Sequence, residues 1–159
     1  MTDQKSARRL YFDSNAFIYA IEGNEEISSV LHQLIAVLGL EPQPAYTSEL
    51  TFAEVLPKAN VVQRQSYFTL ILHSGLFDLI PVTREVLTET VDYRRNMARP
   101  SFEARGAMPK LPDAIHVVSA IRAECNIFIS SDRGLRLPPG LDRIGWEDGR
   151  LHQLIQDMS

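Results

Sequence analysis

One cysteine among 159 residues, Cys125, leaves no partner for an internal disulfide, and a chain without a disulfide framework suits a reducing compartment. Cys125 precedes the apolar run Ile127-Phe128-Ile129 in a helical-looking stretch and reads as a buried structural thiol. Long apolar runs are also missing. The stretch Leu34–Leu40 falls far short of the ~20 residues that span a bilayer. The basic start MTDQKSARR leads into an apolar stretch broken at once by Asp13, where a secretion signal would need about 7–15 uninterrupted apolar residues. These absences predict a soluble, cytoplasmic chain with no membrane association. An excess of positive charge is lacking too: net charge is −4, which argues against a general nucleic-acid coat protein. No G-x-G-x-x-G, G-x-x-x-x-G-K-[ST] or G-x-S-x-G pattern occurs, so the common signatures of dinucleotide binding, triphosphate binding and serine hydrolysis are absent.

What is present suits a single domain over residues 1–159, with residues 1–8 expected to form a flexible extension. Apolar residues make up 45% of the chain, and a chain of this size buries roughly 68–70% of its unfolded surface, enough for one core. Charge is unevenly spread. Residues 1–60 hold eight acids against four bases, whereas Arg94, Arg95, Arg99, Arg105 and Lys110 face a single acid, Glu103, between positions 94 and 110. That stretch is either a phosphate-facing patch on an acidic body or a solvated helix end and loop.

Strands are expected at Arg9–Phe12, Ala45–Thr47, Phe77–Val82, Ile127–Ile129 and Arg143–Ile144. Helices are expected at Ala16–Ile21, Glu25–Leu38, Ser48–Leu56, Val61–Leu72, Thr83–Ala98, Asp113–Glu124 and Glu147–Gln156. The apolar positions Ile27, Val30, Leu31, Leu34, Ile35 and Leu38 follow helical spacing. Pro100 to Pro109 reads as loop. Short strands alternating with longer helices predict a parallel sheet covered on both faces, a three-layer α/β/α arrangement.

Four acids stand where a strand ends or a helix begins: Asp13, Glu54, Asp113 and Asp132. Each has an ordinary explanation. Asp13 is a routine helix cap; Thr51 to Glu54 matches a capping box; Asp113 opposes a helix dipole; Asp132 lies in the turn sequence Ser-Asp-Arg-Gly. Together, carboxylates at helix starts after parallel strands line one edge of the sheet and repel one another. A hard divalent cation such as Mg²⁺ or Mn²⁺ resolves that repulsion and brings hydrolytic chemistry with it.

These segments, in order, resemble the PIN-domain ribonucleases, and among them the VapC toxins of toxin–antitoxin pairs. The resemblance runs from Leu10 to about Trp146. It rests on Asp13-Ser14-Asn15, on Thr47 through Val55, on Leu111-Pro112-Asp113-Ala114-Ile115-His116 and on Phe128-Ile129-Ser130-Ser131-Asp132. The chain departs from compact members in its N-terminal extension and in extra length between Glu54 and Asp113.

The resemblance implies a PIN-like fold and a Mg²⁺- or Mn²⁺-dependent endoribonuclease. Asp13 and Asp113 would hold the ion, with Asp132 and Glu54 completing the site, and water would attack an RNA phosphodiester to leave a 5′-phosphate. Ser130 would orient Asp132, and Asn15 or Ser14 would position a phosphate or a water. Arg94, Arg95, Arg99, Arg105, Lys110 and Arg133 are the candidates for contact with RNA, Arg136 being a further one. His116, one turn after Asp113, is expected to pack against the sheet or bond to backbone. Tyr93 and Phe102 could stack on bases but fit core positions equally well. The implied partners are RNA, a cognate antitoxin and a second copy of the chain. Rival readings are RNA processing outside toxin systems, a PIN-like binding module without useful catalysis, and a haloacid-dehalogenase-like phosphatase. The last would want an aspartate where Asn15 stands.

Overall fold

The computed structural model describes residues 7–98 and 108–159. Five strands form one sheet: β1 (Leu10–Phe12), β2 (Ala45–Ser48), β3 (Phe77–Ile80), β4 (Ile127–Ile129) and β5 (Asp142–Ile144). Every pairing is parallel, and the spatial order is β3-β2-β1-β4-β5. The helices are α1 (Ser14–Glu22), α2 (Glu25–Leu38), α3 (Leu50–Val55), α4 (Val61–Phe68), α5 (Arg84–Met97), α6 (Leu111–Arg122) and α7 (Arg150–Met158). The expected three-layer α/β/α architecture is present, with the sheet in the middle.

Residue alternation along the strands builds the two outer layers. On β1, Leu10 and Phe12 face one core and Tyr11 the other, as the twofold period of a strand requires. The first core gathers Phe12, Phe17, Leu31, Leu34, Tyr67 and Leu151 from β1, α1, α2, α4 and α7. The second packs Tyr11, Tyr46, Phe128, Val117 and Val118 beneath α5 and α6. Both faces of the sheet are thus dry, which suits a parallel ladder.

Local chemistry sets the element ends. Asn24 accepts from the Ile27 amide at 2.9 Å to start α2, and Thr83 accepts from Val86 to start α5. Asn60 and Gln63 form a reciprocal capping box at α4. Differences from the sequence-based expectation are local. Ser48 closes β2 instead of opening a helix, and its hydroxyl accepts from the Leu50 amide. The helix starting at Val61 widens into a π-helical turn over Thr69–His73 before Gly75, at φ +74°, reverses the chain. β3 stops at Ile80 because Pro81 has no amide hydrogen for the ladder. Helix α6 begins two residues early, Pro112 being tolerated in a first turn.

Of the expected extension, residues 1–6 lie outside the described residues, while Arg8 pairs with Glu41 at 3.1 Å. Residues 99–107, which take in most of the expected loop Pro100 to Pro109, also lie outside them. Cys125 is buried as expected, and burial pushes its thiol up to about 12. Among the described residues no helix is long and apolar enough to cross a membrane.

Phe17 is fully buried and packs edge-on against Phe77 and obliquely against Phe12 directly after the Asp13 turn. Phe17→Ala should therefore lower unfolding stability by roughly 3–5 kcal/mol, read from urea denaturation. An unchanged midpoint would contradict this packing.

Candidate active site

The sheet order places β1 beside β4 although the chain visits β2 and β3 between them. This is a topological switch point, where parallel α/β sheets open a crevice at their carboxyl ends. The Asp13 amide donates to the Ile129 carbonyl at 3.1 Å, extending the β1–β4 ladder to the site itself. Asp13 then caps α1, accepting from the Ser14 amide at 2.8 Å through Oδ1. Its other oxygen accepts from the Ser130 hydroxyl at 2.9 Å. The capping explanation of Asp13 is therefore true but incomplete.

Asp13 is only 5% exposed. Burial holds its carboxyl above the usual carboxylate range, against the pull of His116 and of the Ser130 and Ser14 hydrogen bonds. The Asp113 carboxyl is raised as well, first by burial, then by the negative charges of Asp13 and Asp132. Asp113 thus lies near enough to Asp13 and Asp132 to feel both charges, with Glu54 a smaller contributor. Asp113 and Asp132 line a crevice of about 310 Å³ together with Tyr93, Lys110, Gly134 and Arg136.

Glu54 is placed differently from a capping box. The α3 cap is Glu49 with no side-chain bond. Thr51 instead pairs with Thr47, hydroxyl to hydroxyl at 2.7 Å. Glu54 Oε1 lies 2.5 Å from His116 Nε2, which frees it from any local capping role.

His116 departs most from expectation. It is buried, but its partners are side chains: Tyr11 Oη at 2.6 Å from Nδ1 and Glu54 at Nε2. Asp13 Oδ1 stands 3.7 Å from the same Nε2. Burial pushes the Tyr11 hydroxyl's pKa well above the usual phenol value. An ionised carboxylate only accepts, so Nε2 supplies the hydrogen of the bond to Glu54. The signal available in the sequence was position: His116 follows Asp113 by three residues, on the same helical face.

Ser130 also acts otherwise than expected. Its hydroxyl donates to Asp13 and accepts from the Asp132 amide at 3.1 Å, so it touches Asp132 only through backbone. The Asp132 carboxylate accepts from the Gly134 amide at 2.9 Å, a local turn contact. Ser14 contributes its amide to Asp13. Asn15 donates weakly to Ser131 at 3.4 Å, and its buried Oδ1 has no partner among the described residues.

The basic stretch is divided. Arg94 donates from Nε to the Pro109 carbonyl at 2.9 Å, tying α5 to the approach of α6. Lys110 lines the crevice, whereas Arg95 and Arg133 are exposed and do not line it. Arg136 lines it too, with its guanidinium donating to the Met97 carbonyl. Tyr93 belongs to both readings: it is buried in the second core yet lines the crevice, its hydroxyl donating to the Arg136 carbonyl. Arg99, Phe102 and Arg105 lie outside the described residues.

The donor set suits a hard divalent ion. It offers carboxylate oxygens, mutual repulsion and an orphaned amide oxygen at Asn15. Among the described residues, however, no three His, Cys, Asp or Glu side chains are already grouped to hold an ion. The fit is one of charge and ligand type.

A sequence model of the PIN domain matches residues 10–140. The chain belongs to the PIN-domain family. This PIN domain also shares its fold with VapBC2 from Rickettsia felis, solved bound to a DNA fragment from its promoter. That likeness has a TM-score of 0.60 at 16% identity, over 87% of this chain and 98% of the other. A toxin–antitoxin complex from Klebsiella pneumoniae superposes with a TM-score of 0.57 at 22% identity, over 85% of this PIN domain and 95% of that chain. No curated protein matches the sequence.

The raised carboxyls make a stability prediction. A carboxyl whose folded value lies above its unfolded value stabilises the fold below the unfolded pKa, and that stability is lost as pH rises through the folded value. The ion-free protein should therefore lose stability as pH climbs through and beyond the carboxylate range. Asp113→Asn, which relieves repulsion at a partly exposed site, should raise the melting temperature at neutral pH by roughly 1–3 °C, measured in chelator. A lower melting temperature would contradict the repulsion.

Proposed function

We propose that this PIN domain is a metal-dependent endoribonuclease and the toxin of a toxin–antitoxin pair. The observation that carries the reading is the buried Asp13 carboxylate at the β1–β4 switch point, charged against Asp113 and Asp132 beside an open crevice. A structural cap alone needs no such company.

In this reading Asp13, Asp113, Asp132 and Glu54 hold Mg²⁺ or Mn²⁺. The bound ion supplies charge neutralisation at a phosphate and acidifies a water for hydrolysis. Ser130 helps keep the Asp13 carboxylate in one setting through its bond to Oδ2. Asn15 Oδ1, without a protein partner, is the oxygen placed to accept from a water or bind the ion. Lys110 and Arg136 give the crevice a positive side on which a phosphodiester backbone is drawn toward the acids. Arg95 and Arg133, exposed to solvent, extend that attraction outward, with Arg99 and Arg105 assigned to the same role.

An antitoxin partner is supported by the fold likeness to chains solved in toxin–antitoxin assemblies. A homodimer and a cytoplasmic location complete the proposal. Action on RNA outside a toxin system rests on the same crevice and differs only in partner.

The test is cleavage of a mixed RNA pool with Mg²⁺ or Mn²⁺, against a chelator control. The wild type should cleave only with the ion. Asp13→Asn and Asp113→Asn should each lose on the order of 100-fold or more, with circular dichroism confirming the fold. Equal cleavage by wild type and both variants would defeat the nuclease assignment. Growth arrest on expression, abolished by Asp113→Ala and relieved by co-expression of an adjacent small gene, would support the toxin role over RNA maturation.

A further inference from the structure

Three of the four acid-bearing segments meet at one buried ring. His116 on α6 bonds Tyr11 on β1 through Nδ1 and Glu54 on α3 through Nε2. Tyr11 is two residues before Asp13, and His116 is three after Asp113. Ring and phenol are at most 1% exposed, yet Glu54 at the end of the chain keeps 28% of its side chain open. Such a line of polar groups is costly to bury unless every member is satisfied. Here each is, and the open end is a carboxylate. Glu54 Oε1 is the oxygen engaged; Oε2 makes no hydrogen bond among the described residues.

Glu54 itself sits on a helix of six residues, capped without a side-chain bond. A glutamate on so short an element, with three side-chain torsions free, is not held in place by its own backbone. Nothing else among the described residues fixes it. Asp13, by contrast, has Ser130 and the Ser14 amide, and Asp132 has Gly134. The His116 ring is therefore the device that turns a flexible side chain into a fixed ligand.

We propose that His116, itself oriented by Tyr11, is a positioning residue that holds the Glu54 carboxylate in one setting, leaving its second oxygen to a divalent ion shared with Asp13 and Asp113. The inference rests on the metal-site reading above and deepens it. The ring acts through Glu54 and is not assigned as a ligand. Tyr11 matters because its bond to Nδ1 fixes the ring's orientation and so aims Nε2 at the carboxylate, the arrangement by which outer groups tune metal ligands elsewhere.

The test reads Mn²⁺ affinity of the full chain by calorimetry and electron paramagnetic resonance, without RNA. The double variant Tyr11→Phe/His116→Leu removes both polar partners together, which leaves an apolar pair in place of an orphaned phenol. It should bind Mn²⁺ about 10–100-fold more weakly than wild type, with thermal unfolding still cooperative. His116→Gln, whose amide nitrogen reaches where Nε2 stood, should recover most of that affinity and serves as the second variant should the double one unfold. In a Glu54→Gln background, loss of His116 should change Mn²⁺ affinity less than about twofold. Equal weakening with and without Glu54 would show a general structural role and overturn the proposal, as would wild-type affinity in the double variant or a Gln variant no better than Leu. Absence of Mn²⁺ binding by the wild type would overturn the metal-site reading along with it; a wild type that binds while the variants match it overturns the His116 role alone.

Discussion

A carboxyl with almost no access to water stands where β1 gives way to α1. Three neighbours favour the charged form of Asp13: an amide from Ser14, a hydroxyl from Ser130 and the ring of His116. Desolvation outweighs all three, so the carboxyl still resists ionising. Other acids nearby make the deficit larger, since Asp113 is itself disfavoured by Asp13 and Asp132. A fold that carries this arrangement is held together elsewhere, by the two apolar cores.

The sheet organises both the cores and the site. Side chains of opposite parity on three-residue strands feed two separate apolar cores, so Leu10 and Phe12 anchor one face while Tyr11 enters the other. The strand order 3-2-1-4-5 then brings the ends of β1 and β4 together, and with them Asp13 and Ser130. Hydrophobic burial on both faces fixes the positions of polar groups that repel one another at the edge. Packing thus sets the geometry, and electrostatics determines what that geometry binds.

Much of this was legible in the residues. Alternating short strands and helices gave the layering, and the cap-forming types at Asp13 and Thr83 marked helix starts that the structure contains. The four acids were visible because turn and cap positions after strands are few. What stayed hidden was three-dimensional partnership. Thr51 and Glu54 have capping-box spacing, yet Thr51 found Thr47 and Glu54 found His116, because the sheet and α6 offered better partners than the local backbone. Ser130 meets Asp132 through the backbone amide, and what the residues did not reveal is that the same hydroxyl crosses to Asp13 on the neighbouring strand. His116 reads as an ordinary helix residue until the strand beneath it is known to carry a phenol. The bond from Arg94 Nε to the Pro109 carbonyl was likewise invisible in the residues.

The Ser130 to Asp13 bond joins residues 117 apart in sequence. A ribosome that has released only the first hundred residues has emitted β1, β2 and β3 together with Asp13, but neither β4 nor the hydroxyl that steadies the carboxylate. Asp113 and Asp132 are likewise still to come. Long-range pairing of this kind forms late because the intervening loop must be closed first. A stalled or truncated product of that length holds Asp13 and Glu54 without the Ser130 hydroxyl, the His116 ring or the Asp113 and Asp132 carboxyls that accompany them in the full chain.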